Sequence, residues 1–188
     1  MPITELAILR LNQPYHSDPL PSLLELVVAR QSLWPKFAVI YLCDPRDDKT
    51  LYILAGWDSV KVHEEWIQSE GNQELLTLFK PYMVEVSLRH FDIDFNRIPL
   101  DDHNCTAIGW QSTKAEEAVS ELLLQSLDGV IWKGRGVEIE DNLRMHELLV
   151  FGIPSFADLP QAEPNLAQES ANLLVLKRLP GSFAKFPQ

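Results

Sequence analysis

Hydrophobic and polar positions along the chain switch between two periods. Residues 3–11 repeat every second position, with Ile3, Glu5, Ala7, Leu9 and Leu11 on one side and Leu6, Ile8 and Arg10 on the other, which predicts a strand. Residues 12–21 hold three prolines with Asn, Ser and Asp, and predict a loop. Apolar residues at 23, 24, 26, 27, 28 and 33 then fit one helix face, with Ser22 as N-cap and Trp34-Pro35 as terminator. Residues 37–43 and 51–57 are compact β-rich runs, and the DPRDDKT segment between them has turn chemistry, so 37–57 predicts a hairpin. Helical spacing returns at Val62, Trp66, Leu75, Leu76 and Phe79. It is interrupted over 69–72, where Gly71 suggests a kink, and it stops at Lys80-Pro81. Residues 83–94 resume period two, with Val84, Val86, Leu88 and His90 on one side. The predicted order is β-α-β-β-α-β, a ferredoxin-like arrangement.

The same plan then repeats more weakly. After a linker at 97–103, a short strand is predicted at 105–111 and a helix at 113–126, opened by a Thr113/Glu116 capping box. A hairpin follows over 130–139 and 144–153, then a proline-interrupted segment at 155–171 and a last strand at 173–179. The fold class is therefore α+β, with one ferredoxin-like unit at 1–96 and a second, diverged one at 104–188. A ferredoxin-like sheet carries helices on one face only, so its bare face needs a partner. The expected solution is that the two sheets of the chain pack face to face.

Within the first unit, Trp57-x-Ser59-x-x-x-His63-x-x-Trp66-x-x-Ser69 resembles the strand–helix signature of the dimeric α+β barrel superfamily, in particular its antibiotic biosynthesis monooxygenase-like proteins. The tandem arrangement resembles fungal members. The resemblance covers most of residues 1–95 and implies an intramolecular dimeric α+β barrel with a ligand pocket between sheet and helices. It also implies a cofactor-independent enzyme of secondary metabolism, a monooxygenase or a cyclase/isomerase acting on an aromatic or polyketide-like small molecule. Two positions depart from the family. Asn72 stands where many members place a histidine that assists catalysis, and Leu76 stands where the haem-degrading members place their axial ligand. A non-catalytic binding or assembly protein that keeps the fold is the alternative reading.

Within such a pocket His63 and His90 are the candidate catalytic bases, because an imidazole can take a proton near neutral pH. Trp66 is a candidate stacking wall and Asn72 a candidate orienting donor. Trp57 and His146 complete the candidate substrate-binding set, with Trp110 and Trp132 shaping a second cavity. Each also has a plain structural reading, as core aromatics, a surface first-turn histidine at 63 and a satisfied core histidine at 90. No His and carboxylate pair has the linear spacing of a metal site, so no metal and no cofactor are expected.

Composition narrows the partners. Hydrophobic residues are 46% and charged residues 23%, as in ordinary globular proteins, and the formal net charge is −11, shared by both halves. An acidic chain without a basic face does not suit nucleic acid or an anionic membrane surface. No apolar run approaches the ~20 residues needed to cross a bilayer. The first residues lack the basic start and apolar run of a leader, so a cytoplasmic location is expected. Cys43 and Cys105 read as reduced thiols, with a bridge between them left open, as is homodimerisation.

Overall fold

The computed structural model describes residues 1–100, 107–114, 129–152 and 174–179. Its first half runs β1 (Ile3–Leu11), α1 (Leu20–Gln31), β2 (Val39–Asp44), β3 (Asp47–Trp57), α2 (Val60–Gln68), α3 (Glu70–Phe79) and β4 (Met83–Phe91). A 3-10 turn at Phe95–Arg97 leads on to β5 (Ala107–Lys114), β6 (Val130–Val137), β7 (Arg144–Phe151) and β8 (Leu174–Arg178).

Several local expectations are corrected. Helix α1 starts at Leu20 rather than 23, and Ser22 is not its cap. Pro19 stands at the N-cap and a further proline lies in the first turn, where a missing N–H removes no helical hydrogen bond. The hairpin loop shrinks to Pro45-Arg46, with Asp44 Oδ1 accepting from the Arg46 backbone N at 2.9 Å. The break between α2 and α3 belongs to Ser69, not Gly71: Ser69 is extended (φ −65°, ψ 148°) and ends one helix while opening the next. Its hydroxyl donates to Trp66 O at 2.7 Å and accepts from Asn72 N at 3.2 Å. Thr113 lies in β5, so the helix expected from 113 does not begin there; residues 115–126 and the segment 155–171 fall outside the described residues.

The strands form one eight-stranded sheet in the order β4-β1-β3-β2-β8-β5-β7-β6. The order within the first half, β4-β1-β3-β2, is repeated by position in the second as β8-β5-β7-β6. The halves join where Leu42 and Cys43 of β2 pair with Arg178 and Lys177 of β8. At the far side the edge strands meet. Phe91 bridges Glu138, Ile139 N donates to His90 O at 2.8 Å, and Asp92 N donates to Val137 O at 3.2 Å. Two separate sheets facing each other were expected; instead one sheet curls until β4 and β6 touch. Pairing across both junctions satisfies edge N–H and C=O groups that separate sheets would leave open.

At β1 and β2 the curled sheet is buried on both faces. Leu6, Ile40, Leu54, Phe91, Leu148 and Leu176 share the inner core. Ala7, Leu9, Val39, Tyr41, Leu51 and Ile53 face outward under Leu20, Leu24 and Val28 of α1 and Phe79 of α3. This explains why Val39–Cys43 shows no alternation: every residue of the run is buried, as expected for a strand covered on both sides. Among the described residues no helix is long and apolar enough to cross a membrane.

Candidate functional site

Glu5 is the one charged residue on the apolar, helix-covered face of β1. Antiparallel pairing sets it beside His90 of β4 and Ala55 of β3. Two residues beyond Ala55, on the same face, β3 ends at Trp57, whose side chain is fully buried and whose indole Nε1–H donates to Glu5 Oε2. Ser59 then caps α2, its Oγ accepting from Val62 N at 3.3 Å and its carbonyl from His63 N at 3.2 Å. That cap fixes the first helical turn, which lays the His63 ring flat on the Trp57 indole at a centroid distance of 4.2 Å and 19° between planes. The Trp-x-Ser-x-x-x-His part of the sequence signature is thus a device for holding one imidazole over the end of a strand.

His63 meets His90 there. His63 Nδ1 and His90 Nε2 are 2.7 Å apart, and both rings are almost fully buried. His90 is held in turn by Glu140, which follows β6 at the seam. Glu140 Oε1 accepts from His90 Nδ1, and Oε2 accepts from His90 backbone N at 3.0 Å. These partners assign the tautomers: His90 Nδ1–H donates to Glu140, its Nε2 presents a lone pair, and His63 Nδ1–H donates to it. Glu5 Oε2 lies 3.6 Å from His63 Nδ1, beyond hydrogen-bond reach. The result is a chain from α2 to β4 to the second half of the molecule, with Glu5 beside it.

Burial sets the charge of the cluster. It pushes the Glu5 carboxyl up to about 8, with the Trp57 hydrogen bond opposing the rise and the Glu140 charge adding to it. Burial likewise brings His63 down to about 3, reinforced by His90 and opposed by Glu140. Partial burial raises Glu140, but the side-chain and backbone hydrogen bonds from His90 outweigh it and hold this carboxyl below its usual value. Near neutral pH Glu5 is therefore mostly protonated, His63 neutral and Glu140 ionised.

Of the sequence candidates, the structure brings His63, His90 and Trp57 into this one cluster. Trp66 is buried against Ile3, Trp57 and Leu75 and lies 5.5 Å from Trp34. Asn72 turns away: its Nδ2 donates to Ile67 O at 3.1 Å, tying the α2–α3 junction. His146 sits inside the curled sheet, its ring 4.5 Å from Phe91 and 5.2 Å from Trp110. His146 Nε2 lies 2.9 Å from Glu138 Oε2, and Arg89 Nη1 donates to both Glu138 oxygens at 2.7 and 2.9 Å. Burial lowers His146, against the hydrogen bond it makes to Glu138, which raises it. Trp132 lines a separate cavity of about 240 Å³ with Asp92, Asp94, Arg97, Lys133 and Arg135. Asp101, Asp102, His103 and Cys105 lie outside the described residues, and Cys43 is a buried free thiol.

Sequence reasoning missed two members of the cluster. Glu5 did leave a signal, a lone carboxylate in register with four apolar residues. Glu140 left none, because it reaches His90 only when the sheet curls.

Solved structures share this architecture. A provisionally assigned monooxygenase of Fusobacterium nucleatum aligns over 100% of this chain and 98% of its own length, with TM-score 0.60 and 11% identity. An anthrone oxidase-like protein aligns over 95% of this chain and 91% of its own, with TM-score 0.61 and 10% identity. The chain has a monooxygenase-like fold. A provisionally assigned chlorite dismutase also aligns, over 95% of this chain and 96% of its own, with TM-score 0.56 and 9% identity. The monooxygenase-like fold therefore hosts proteins assigned to different chemistries, and likeness at this identity carries the fold alone. No family model matches the sequence, and no curated protein matches it.

Proposed function

We propose that the chain is a small-molecule enzyme of the monooxygenase or cyclase/isomerase type, acting on an aromatic or polyketide-like metabolite without an organic cofactor. Its two units, 1–96 and 104–188, form an internally paired α+β barrel, a reading supported by the repeated strand order and by the junctions at both sides.

The observation that carries the reaction class is the buried chain His63–His90–Glu140. His63 takes a substrate proton on the ring nitrogen not engaged by His90, and the rest of the chain orients the imidazole and balances the charge that forms. Deprotonating an acidic C–H or O–H of an aromatic substrate leaves an electron-rich anion. That anion reacts with dioxygen in the oxygenase case, or closes on its own carbonyl in the cyclase case. Leu88 and Val86 continue the His90 face of β4, and Val86 is exposed, so an apolar strip leads along the strand to the histidines.

The test is oxygen consumption and product mass spectrometry with anthrone as the probe, on the wild-type chain, His63→Ala and His90→Ala. Loss of a general base lowers the rate by about 10²- to 10⁴-fold. Equal rates in all three proteins, or no turnover by the wild type, would leave the fold as a binding scaffold and remove the reading.

A further inference from the structure

We propose that Glu5, His63 and His90 form a binding site for one divalent transition-metal ion, with Trp57 and Glu140 supporting it from outside. The ion would bind at the cluster that carries the proposed proton transfer, and its binding requires no turnover.

Three donor atoms from three elements converge. One carboxylate oxygen of Glu5 and one ring nitrogen each of His63 and His90 lie within 4.8 Å of one another, and all three residues are buried. The hydrogen bond between the imidazoles accounts for the 2.7 Å between His63 Nδ1 and His90 Nε2. Glu5 Oε2 accepts from Trp57 Nε1–H and lies on the same side, 3.6 Å from His63 Nδ1, where it bonds neither ring. A cation at the centre would engage all three donors at once. Ligand bonds of about 2.0–2.2 Å place such donors roughly 3–3.5 Å apart, so the imidazoles need to separate by only about half an ångström.

The surroundings match what a metal needs of its protein. A ligating histidine almost always donates its other ring N–H to a carboxylate or carbonyl, which fixes the lone pair on the metal-facing nitrogen. Glu140 does this for His90, accepting from Nδ1 and from the backbone N of the same residue. Trp57 does the equivalent for Glu5, donating Nε1–H to Oε2, while its ring face holds His63. Two imidazoles and one carboxylate suit zinc, iron(II) or manganese(II) and not calcium or magnesium, which take oxygen sets. Three protein donors also leave a position free for water or a substrate oxygen. A further buried His–Glu pair among the described residues, His146 with Glu138, is not a second such site, because the Arg89 guanidinium already occupies Glu138.

The experiment uses the full chain, dialysed against EDTA and titrated with Co²⁺ and then Zn²⁺ by calorimetry and visible absorption. The expected result is one ion per chain, with cobalt d–d bands of a nitrogen/oxygen site. Glu5→Gln, His63→Ala and His90→Ala are each expected to lose at least 100-fold in affinity. Glu140→Gln, which keeps the side-chain shape and touches no ion, is expected to lose about 10- to 100-fold with an unchanged far-ultraviolet circular dichroism spectrum. No binding by the wild type overturns the proposal. So does Co²⁺ bound by Glu5→Gln and Glu140→Gln as tightly as by the wild type, which is adventitious binding to an acidic chain; these two isosteric variants carry the test if an alanine variant fails to fold. Because no substrate is present, a negative result here leaves the proton-transfer reading untouched, and turnover by EDTA-treated protein leaves this one untouched.

Discussion

Glu140 holds His90 at two atoms, accepting from the ring Nδ1–H and from the backbone N across the place where β4 meets β6. The residue that orients the candidate base therefore belongs to the other half of the chain. Glu140→Gln keeps the size but removes the charge that favours the Nδ1–H tautomer. Proton–nitrogen correlation spectra are expected to show His90 as the Nδ1–H form in the wild type and as a tautomer mixture in the variant. Charge-assisted hydrogen bonds contribute about 1.5–3 kcal/mol, and Glu140 is partly exposed, so the stability loss in urea is expected near the lower bound. An unchanged tautomer would show that something else orients His90.

A second pair crosses the same seam. Arg89 Nη1 donates to both oxygens of Glu138, whose carboxyl is buried while the guanidinium is half exposed. Arg89→Met leaves a buried carboxylate with His146 Nε2 beside it at 2.9 Å. Breaking a buried pair from one side costs about 3–5 kcal/mol, and the exposure of Arg89 puts this case at about 3. Adding Glu138→Gln is expected to recover part of the loss, since the uncompensated charge goes with it. Urea midpoints of the two single variants and the double variant measure this. Simple additivity would mean the pair is not coupled.

Trp57 separates packing from hydrogen bonding. Trp57→Phe keeps an aromatic ring against His63 but removes the indole N–H from buried Glu5. An orphaned buried acceptor costs about 1–3 kcal/mol, so denaturant stability is expected to fall by that amount. The Glu5 carboxyl, already raised by burial, loses the Trp57 hydrogen bond that favours its anion and is expected to rise further. Carbon-detected titration of Glu5 checks the direction; a fall would contradict the geometry.

How much of this was legible in the sequence follows from where each interaction closes. Trp57, Ser59 and His63 lie within one strand end and one capped turn, so their spacing carried the geometry, and period two placed His90 on the right face of β4. Glu5 sat in plain view among Ile3, Ala7, Leu9 and Leu11, but a charged residue at a strand's apolar position reads as an exception until its partners are known. Glu140, Glu138 and the pairing of β2 with β8 depend on the curl of the whole sheet, which no local pattern encodes. Ser69 shows the reverse failure: Gly71 suggests the helix break in the sequence, whereas a serine whose hydroxyl bonds both helices makes it. Asn72, a candidate by position, is consumed by that same junction.

His146 gives a pH test with a defined sign. Its ring is buried between Phe91 and Trp110, and burial lowers it from the ordinary histidine value despite the Glu138 hydrogen bond. Arg89 and Arg144 also face it and push in the same direction as burial. In the unfolded chain this histidine takes a proton near pH 6.5, while in the folded chain it stays neutral to lower pH. The unfolded state therefore binds more protons below about pH 6.5, and the stability contribution is present above that pH and lost as pH falls through the window beneath it, by at most about 1.4 kcal/mol per pH unit. His63 adds a slope of the same sign, and Glu5, raised to about 8, adds one of opposite sign above about pH 4.5. Comparing the wild type with His146→Gln cancels both. Urea unfolding between pH 5 and 7.5 is expected to give a shallower pH dependence in the variant below pH 6.5, with parallel curves above it. A steeper dependence in the variant would mean that folded His146 carries the proton and that Glu138, not burial, governs its charge.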